Sequence, residues 1–232
     1  MLDFHTHILP CVDDGSRSLQ ETAAMLRAMK EQGITDVIAT PHFYPNHDSV
    51  DSFLARRDAA FAARQSQLTD TPRIHLGAEV EYYEGIGRLP QLKQLRICQS
   101  RLLLLEMPMG RWSEYTVREV ADMAARGSII PVLAHVERYL FLQSKDVAAR
   151  LLEHGVLFQS NSSFVTGRRH ARKALRMIQG EQIHFLGSDA HNTSDRPPNL
   201  GGAVEHIRKK LGDPFASAYV EYQQKLFIQC SK

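Results

Sequence analysis

Short runs of apolar residues recur along the chain, separated by longer segments with helical periodicity. Most of these runs do not alternate between apolar and polar positions, which is the pattern of parallel strands covered on both faces. The pattern predicts seven strands, at residues 2–6, 34–40, 74–80, 102–107, 129–135, 156–160 and 183–188.

The segments between these strands carry readable helix boundaries. Ser18 and Glu21 have the spacing of a capping box, and Gly33 is a suitable end for the helix that they begin. The same kinds of signal predict four more helices: 113–127, 144–155, one that ends at Gly180 and one that begins at Asp213 and Pro214.

Seven strands that alternate with helices predict an α/β domain that closes, or nearly closes, into a (β/α) barrel. An open, doubly wound sheet is the alternative, but no G-x-G-x-x-G or Walker lysine motif supports a nucleotide-binding version of it. A chain of 232 residues is long enough for one such domain. We expect a single domain over residues 1–232, with motifs within 1–200 and only helices beyond.

Composition and charge exclude several classes of partner. The chain is 43% apolar and 23% charged, and its formal net charge is +2 with histidine neutral. No long basic run favours nucleic acid or an anionic membrane. Three widely spaced cysteines argue against a disulfide framework. No apolar stretch reaches the roughly 18 residues of a transmembrane span, so we expect a cytoplasmic protein without membrane insertion.

Residues with imidazole or carboxylate side chains end six of the seven predicted strands. In a parallel barrel these strand ends open onto one face, where active sites are built. One such residue alone is more often structural, but carboxylates rarely lie beside apolar strands without a partner. The set, in chain order, is His5, His7, His42, Glu79, Glu106, His135, Asp189 and His191.

This set of side chains predicts bound metal ions. Carboxylates and imidazoles that converge on one mouth repel or desolvate one another, and divalent cations supply the counter-charge. The mixed nitrogen and oxygen donors suit manganese, iron or zinc better than calcium, and a set without cysteine argues against structural zinc. Because the set exceeds what one ion coordinates, we expect about two or three ions.

Two arginines lie in loops that leave these strand ends. Arg138 belongs to the segment HVERY, and Arg196 to SDAHNTSDRPP. A planar guanidinium donates two parallel hydrogen bonds to a phosphate, which suits a phosphoester bound beside a metal cluster. The alternative for each arginine is a salt bridge to a loop carboxylate such as Glu137 or Asp195.

The segment CVDDGSR, residues 11–17, is also compatible with cysteine-based catalysis, because Cys-x5-Arg is the spacing of thiolate phosphatases. Such loops direct successive backbone N–H groups at the phosphate and stabilise the cysteine thiolate. Asp13 and Asp14 place negative charge beside both the thiolate and the phosphate dianion. We therefore expect that Cys11 is not a nucleophile and that Arg17 is a surface residue.

Together, these motifs resemble a known group of enzymes. HTH, TPH, GAE, LLE, AHVERY and SDAHN, in this order, resemble the PHP superfamily of metal-dependent phosphoesterases. DFHTHILPCVDDG, IATPHFYP, PVLAHVERY and SDAHNTSDRPP are most similar to the tyrosine-protein phosphatases of bacterial capsular and extracellular polysaccharide operons. The resemblance covers about residues 1–200. It implies a distorted seven-stranded (β/α) barrel of the PHP type with a trinuclear, usually manganese-containing centre.

The resemblance also implies roles for individual residues. Arg138 and Arg196 match the catalytic arginines that hold the phosphate in the family. Cys11 stands where relatives carry another residue, often an acidic one. The implied metal ligands are His5, His7, Asp14, His42, Glu79, Glu106, His135, Asp189 and His191.

The implied function is a metal-dependent protein-tyrosine phosphatase that acts on the tyrosine-rich tail of a membrane-associated polysaccharide kinase. We expect in-line attack by a metal-bound hydroxide, because coordination lowers the pKa of water from 15.7 to about 7, with no covalent intermediate. Phe43, Tyr44 and Trp112 are candidates to stack on the phosphotyrosine ring, with simple packing as the alternative. A small-molecule phosphoesterase such as a histidinol phosphatase, or a non-catalytic metal-binding scaffold, are the alternative functions.

Overall fold

Strands and helices alternate along the computed structural model, which describes residues 1–65 and 70–231. Residues 66–69 and Lys232 fall within the predicted domain limits but lie outside the described residues. The strands are β1 (Leu2–Thr6), β2 (Asp36–Ala39), β3 (His42–Phe43), β4 (Arg73–Leu76), β5 (Glu79–Glu81), β6 (Leu102–Glu106), β7 (Ile130–Leu133), β8 (Leu157–Asn161) and β9 (Phe185–Gly187). The α-helices are α1 (Leu19–Glu31), α2 (Val50–Gln65), α3 (Glu114–Ala125), α4 (Lys145–Glu153), α5 (Ser162–Thr166), α6 (Ala171–Gln179), α7 (Leu200–Leu211) and α8 (Asp213–Cys230).

The strands form one curled, parallel arrangement. A three-stranded sheet has the order β1-β2-β4, and a six-stranded sheet has the order β3-β5-β6-β7-β8-β9. Thr6 pairs with Ala190 just beyond β9, and the amide of His7 donates to the Ala190 carbonyl at 2.9 Å. The two sheets are therefore joined through β1, and the carboxyl ends of their strands lie on the same side.

The predicted count of seven strands differs from the nine strands in the described residues. The predicted strand 74–80 is interrupted at Gly77 and divides into β4 and β5. The additional strand, β3, follows β2 after Pro41, which has no N–H to donate to a neighbouring strand. The other predicted strands are confirmed, with ends shifted by one or two residues.

The predicted helix starts are confirmed, with one difference in the capping. The Ser18 hydroxyl accepts from the amide of Glu21 at 3.1 Å, whereas the Glu21 carboxylate accepts from the amide of Arg17 rather than of Ser18. Ser113 caps α3 in the same way, at 3.0 Å from the amide of Thr116. Helices α2 and α5 were not predicted, because α2 is dominated by alanine and charged residues and α5 is only five residues long.

Two apolar clusters lie on opposite faces of the strands, as the two-residue period of a strand requires. The larger cluster packs Leu103 and Leu105 of β6, with other strand residues, against Met25 and the rest of the apolar face of α1. The smaller cluster contains Leu102 and Leu104, and α8 contributes Phe227 to it. Within it, Phe4 of β1 stacks on Phe185 of β9 at 3.9 Å.

Along β6, Glu106 shares the face of Leu102 and Leu104. The smaller cluster therefore packs directly beneath the carboxyl ends of the strands, on the same face as Glu106. Within residues 1–65 and 70–231, no helix has the length and hydropathy that crossing a bilayer requires.

The close approach of β1 and β9 predicts that Gly187 tolerates no side chain. A Cβ at this position meets the Cβ of His5 at 2.5 Å and its amide nitrogen at 2.8 Å, and a backbone atom cannot move aside cheaply. We expect Gly187→Ala to lower the free energy of unfolding by about 1–3 kcal/mol, measured by chemical denaturation.

Gly202, in α7, provides the matched control because a Cβ there meets nothing within 4 Å. Gly202→Ala should stabilise the protein by up to about 1 kcal/mol, since alanine is the better helix former. Equal effects of the two substitutions would contradict the close packing of β1 on β9.

Candidate metal centre

The carboxylate of Glu79 lies at the centre of the predicted site. Its side chain is 1% exposed, and four imidazoles surround it. Glu79 Oε2 lies 3.0 Å from His5 Nε2 and 3.2 Å from His7 Nε2. The same oxygen lies 3.1 Å from His42 Nδ1, and the other carboxylate oxygen lies 2.8 Å from His135 Nε2. Residues in or just after β1, β3 and β7 therefore direct imidazoles at one buried carboxylate, which β5 carries.

Three further acids border the same space. Glu106 at the end of β6 lies 3.5 Å from His135 Nε2. Asp189 Oδ1 lies 3.4 Å from His7 Nε2, and Asp14 Oδ1 lies 3.4 Å from His191 Nε2. Asp14 is the outermost member, with a side chain that is 66% exposed. All nine side chains that the sequence predicts as ligands thus come together.

Donor atoms of these residues form three groups within which all atoms lie within 4.8 Å of one another. His135 lies outside these groups but contacts Glu79 and Glu106. The groups share members, which is the arrangement needed to hold neighbouring ions. They are His7 with Asp14, His42 and His191; His5 with His7 and Asp189; and His42 with Glu79 and Glu106.

Two buried imidazole nitrogens indicate that these groups fit cations. His42 Nδ1 and His191 Nε2 have no hydrogen-bond partner among the described residues, although each lies near a carboxylate oxygen. A buried polar atom without a partner is costly, and coordination of a cation removes that cost. Neutral imidazole and carboxylate donors of this kind suit first-row divalent metals.

Asp189 divides its two oxygens between the imidazoles and the predicted arginines. Its Oδ1 faces His5 and His7, whereas its Oδ2 accepts from Arg138 at 2.9 Å and forms an ion pair with Arg196 at 2.8 Å. The arginines therefore pair with a member of the site rather than with the loop carboxylates considered as alternatives. Both remain about two-fifths exposed, at 42% and 40%, and face the mouth of the site.

Two members of the site adopt a strained backbone conformation. His135 has φ of 30° and Asp189 has φ of 54°, in the left-handed region that residues other than glycine rarely occupy. Each such residue costs on the order of 1–3 kcal/mol, and it persists only where the surrounding structure holds it. Both follow the last residues of a strand, so the strain turns their side chains into the site.

The charges of these groups are strongly coupled. Burial disfavours a charged His7, but the Asp13 carboxylate outweighs it and holds the pKa of His7 well above its usual value. Burial likewise disfavours ionised Glu79, yet His5 and the other imidazoles hold the pKa of Glu79 well below its usual value. For Glu106, burial and the nearby Glu79 charge raise the pKa to about 7.

Asp13 is a functional residue that the sequence analysis did not assign to the site. Its buried carboxylate accepts from His7 Nδ1 at 2.7 Å and from the amide of His42 at 2.9 Å. The Nε2 of His7 is thereby left to face Glu79. A carboxylate that orients a ligating histidine is the usual second layer of a metal site. The adjacent pair Asp13 and Asp14 in CVDDGSR was the available signal. Neighbouring side chains point in different directions, so only one of the two can face the solvent.

Strand β8 also contributes residues that sequence reasoning missed. It is the one predicted strand without an imidazole or carboxylate at its end, but Gln159 and Asn161 lie on one face of it. Gln159 Oε1 lies 3.2 Å from His5 Nδ1 and accepts from the amide of His135 at 2.7 Å. Asn161 Nδ2 donates to Asp189 at 2.8 Å. The polar ending FQSN of this strand was the signal.

The loop around Cys11 is not built as a phosphate cradle. The amides of Cys11 and Ser16 donate to the carbonyls of Ser16 and His7, at 2.8 and 2.9 Å. The amide of Gly15 donates to the Asp13 carboxylate at 3.0 Å. These N–H groups are directed at protein acceptors, so the loop does not present them to an anion.

The three aromatic candidates for ring stacking differ in position. Phe43 is buried in the core, which favours the packing alternative. Tyr44 is partly exposed and stacks on His42 at 5.1 Å between ring centroids. Trp112 is partly buried, and its indole N–H donates to the Pro108 carbonyl at 3.0 Å. Of these three candidates, Tyr44 is therefore the one that borders the site.

Comparisons with known proteins agree with this architecture. The model of a family described as "Capsular polysaccharide synthesis, CpsB/CapC" matches residues 1–229. The tyrosine-protein phosphatase YwqE of Bacillus subtilis is 30% identical over 219 residues, which cover 91% of this chain and 85% of YwqE. The tyrosine-protein phosphatase CpsB of Streptococcus pneumoniae is 29% identical over 245 residues, covering 98% of both chains.

Solved structures of other proteins share this fold. A crystal structure from a study of YwqE and CpsB, described as unique metal-dependent tyrosine phosphatases, has a TM-score of 0.83 at 26% identity. It covers 100% of this chain and 96% of its own. A putative histidinol phosphatase from Listeria monocytogenes shares the fold, with a TM-score of 0.51 at 13% identity over 82% of this chain and 95% of its own. This chain belongs to the CpsB/CapC family of capsular polysaccharide synthesis.

Proposed function

We propose that this chain is a metal-dependent protein-tyrosine phosphatase that hydrolyses phosphotyrosine without a covalent intermediate. The observation that carries the proposal is the convergence of four histidines on the buried Glu79 carboxylate, with two arginines at the mouth. The relatives named above are tyrosine phosphatases, and one crystal structure is described as metal-dependent.

The proposed ligands are the nine residues predicted from the sequence, and they would hold the ions around the buried Glu79 carboxylate. Manganese is the proposed metal, with about two or three ions, and iron or zinc as alternatives. Such ions supply a water of lowered pKa and Lewis-acid stabilisation of the phosphoryl oxygens. The donor set is His5, His7, Asp14, His42, Glu79, Glu106, His135, Asp189 and His191.

The two arginines are proposed to hold the phosphate. Arg138 and Arg196 each form an ion pair with Asp189 through one terminal nitrogen, and their partial exposure leaves the guanidinium edges facing the mouth. Asp189 thus holds the guanidinium groups of both arginines at one point. A pair of guanidinium groups placed in this way stabilises negative charge on the equatorial phosphoryl oxygens during in-line attack.

We further propose that the chain is one domain, a distorted seven-stranded barrel of the PHP type. The support is that β2 with β3, and β4 with β5, each run on as one bent strand. The amide of Gly77 donates to the Ala39 carbonyl at 2.8 Å, and the amide of Glu79 donates to that of Pro41 at 3.0 Å. Counted in this way, nine short strands become seven.

A protein substrate is supported by the surface around the mouth. Tyr44, Met109 and Phe141 follow the carboxyl ends of β3, β6 and β7 and are exposed. Gln143 joins the latter two loops, because its amide donates to the Gly110 carbonyl at 2.8 Å and accepts from the amide of Trp112 at 2.9 Å. The proposed substrate is the tyrosine-rich tail of a polysaccharide-synthesis kinase. A cytoplasmic location stays a prediction.

Removal of metal should abolish hydrolysis of a phosphotyrosine peptide, and re-addition of manganese should restore it. Cys11→Ser and Arg17→Lys should each keep activity within about threefold of the original protein, because neither side chain is proposed to touch the phosphate. The measurement is kcat/KM before and after chelation.

Full activity in chelator, or loss of activity in Cys11→Ser, would contradict this mechanism. Histidinol phosphate serves as the comparison substrate in the same assay. A higher kcat/KM on histidinol phosphate than on the peptide would replace the proposed substrate class while leaving the metal mechanism intact.

Arg138→Lys and Arg196→Lys should each lower kcat/KM about 10- to 100-fold, because lysine cannot form the planar, bidentate contact with a phosphate. Manganese content, measured by elemental analysis, should be unchanged. Arg17→Lys is the matched control. Unaltered kinetics in both variants would show that the arginines only form salt bridges with Asp189.

Gln159→Leu should weaken manganese binding about 10- to 100-fold, as loss of a group that orients a ligand does elsewhere. Gln159 is a positioning residue, since it acts through His5 and the backbone of His135. The measurement is calorimetric titration of the metal-free protein.

Gln159→Glu is the control, because it keeps the acceptor oxygens and should retain most of the affinity. If the leucine variant binds manganese as tightly as the original protein, or if both variants lose affinity equally, Gln159 has no orienting role.

A further inference from the structure

A cluster of Asp36, His75 and Cys98, here called the thiol cluster, lies apart from the metal centre. Asp36 is the first residue of β2, and His75 is the third of the four residues of β4, the strand that precedes Glu79 in the chain. Because the strands are parallel, these residues lie at the opposite end of the sheet from Glu79 and the arginines. Nothing in the proposed phosphatase mechanism uses them.

The three side chains are linked in one line. Asp36 Oδ1 lies 3.0 Å from His75 Nε2, and His75 Nδ1 lies 3.8 Å from Cys98 Sγ. The carboxylate holds the proton on Nε2, which leaves Nδ1 as an acceptor for the thiol proton. The contact with Cys98, and that with Asp36, hold the pKa of His75 above its usual value against its partial burial.

The backbone aims the thiol at the imidazole. Cys98 is exposed and has φ of 50°, in the left-handed region. Its amide donates to the Leu76 carbonyl at 2.7 Å, and that residue directly follows His75 in β4. A second hydrogen bond, from the amide of Ser100 to the Ile97 carbonyl at 3.0 Å, closes the same turn. The thiol is therefore held beside His75.

A cavity of about 310 Å³ lies on the Asp36 and His75 side of this cluster, and Cys98 lies beside His75 but is not one of the described residues that line it. His75, Asp36 and Arg73 line one part of it, and Phe227 of α8 lines another. Arg73 Nε forms an ion pair with Asp36 Oδ1 at 3.1 Å, but the arginine side chain is 74% exposed. The guanidinium is thus placed to attract a small molecule that carries a carboxylate.

We propose that Cys98 is a reactive thiol that forms mixed disulfides with small, carboxylate-bearing disulfides, with His75 as its base. A thiolate is the attacking species in such exchange, and an adjacent imidazole that accepts the proton increases its population. Asp36 is a positioning residue, because it acts through His75.

The proposed step conserves atoms and electrons. The proton of Cys98 moves to His75 Nδ1, and the sulfur attacks one sulfur of the small disulfide. The bond between the two sulfurs of the small molecule breaks as the new disulfide bond forms. The departing thiolate takes the proton from His75, so one thiol is consumed and one is released. Excess thiol reverses the reaction by the same route.

Cys11 provides an internal control within the same molecule. It is also exposed and also has a positive φ, of 58°, but its Sγ lies 3.1 Å from the Arg17 carbonyl and donates its proton to it. The partner of the Cys11 thiol is thus a carbonyl, which is not a base, whereas the partner of the Cys98 thiol is the His75 imidazole. Cys230 is buried and serves as a marker of the folded state.

The test compares alkylation of each cysteine by iodoacetamide at neutral pH, followed by mass spectrometry of the manganese-loaded protein. Cys98 should react about tenfold faster than Cys11, and His75→Gln should bring it to about the rate of Cys11. Oxidised glutathione should add preferentially to Cys98, and dithiothreitol should remove it.

Equal rates at Cys98 and Cys11 in the original protein would overturn the proposal, and this comparison needs no variant. An unchanged rate at Cys98 in His75→Gln, with Cys230 still protected, would remove His75 from the proposed role. Addition of glutathione to Cys11 instead of Cys98 would also overturn it. Because the thiol cluster lies away from the metal centre, none of these results depends on the phosphatase activity.

Discussion

The burial of the Glu79 carboxylate among four imidazoles is the constraint that organises this structure. Withdrawal of a carboxylate from water costs several kcal/mol unless opposite charges or hydrogen bonds replace the lost hydration. His5, His7 and His135 lie within 3.2 Å of its oxygens, and they lower its pKa. Divalent cations also stabilise the ionised Glu79 carboxylate. Each carries more charge than a protonated imidazole, and its binding requires no proton. The site is therefore one in which protons and metal ions compete for the same donors.

A second layer of polar side chains fixes the first. Asp13 binds His7, Gln159 binds His5 and the backbone of His135, and Asn161 binds Asp189. These contacts hold the imidazoles of His5 and His7 in one orientation. They also help to stabilise the left-handed backbone at His135 and Asp189. The tight contact of Gly187 with His5 also positions the site, because it keeps β9 close enough to β1 for Asp189 to reach His5 and His7.

Much of the fold and the site could be predicted from the sequence. The apolar runs located the strands, and the position of ligand-type residues after those runs predicted that they converge. The described residues contain nine strands instead of the predicted seven, because Gly77 and Pro41 interrupt two strands in ways that hydrophobicity does not report. Asp14 was assigned to the site through resemblance, whereas the more buried Asp13 was missed because its role depends on where a loop turns.

Residues that act through others have weaker sequence signals. Gln159 has neither charge nor a motif, and only the geometry of β8 gives it a function. The thiol cluster joins Asp36, His75 and Cys98 from three separate segments, so no spacing in the chain could reveal it. Conversely, the Cys-x5-Arg spacing was visible in the sequence but has no matching geometry, because the amides of Cys11, Gly15 and Ser16 donate to acceptors within the loop or in the residues just before it.

Diffraction from crystals grown with manganese, recorded at an energy where manganese scatters anomalously, tests the central claim most directly. The account predicts about two or three anomalous peaks around Glu79, one of them within coordination distance of His135 and Glu106. It also predicts that His42 Nδ1 and His191 Nε2, two site nitrogens without a hydrogen-bond partner among the described residues, each face a peak. A single peak, or none near Glu79, would contradict it.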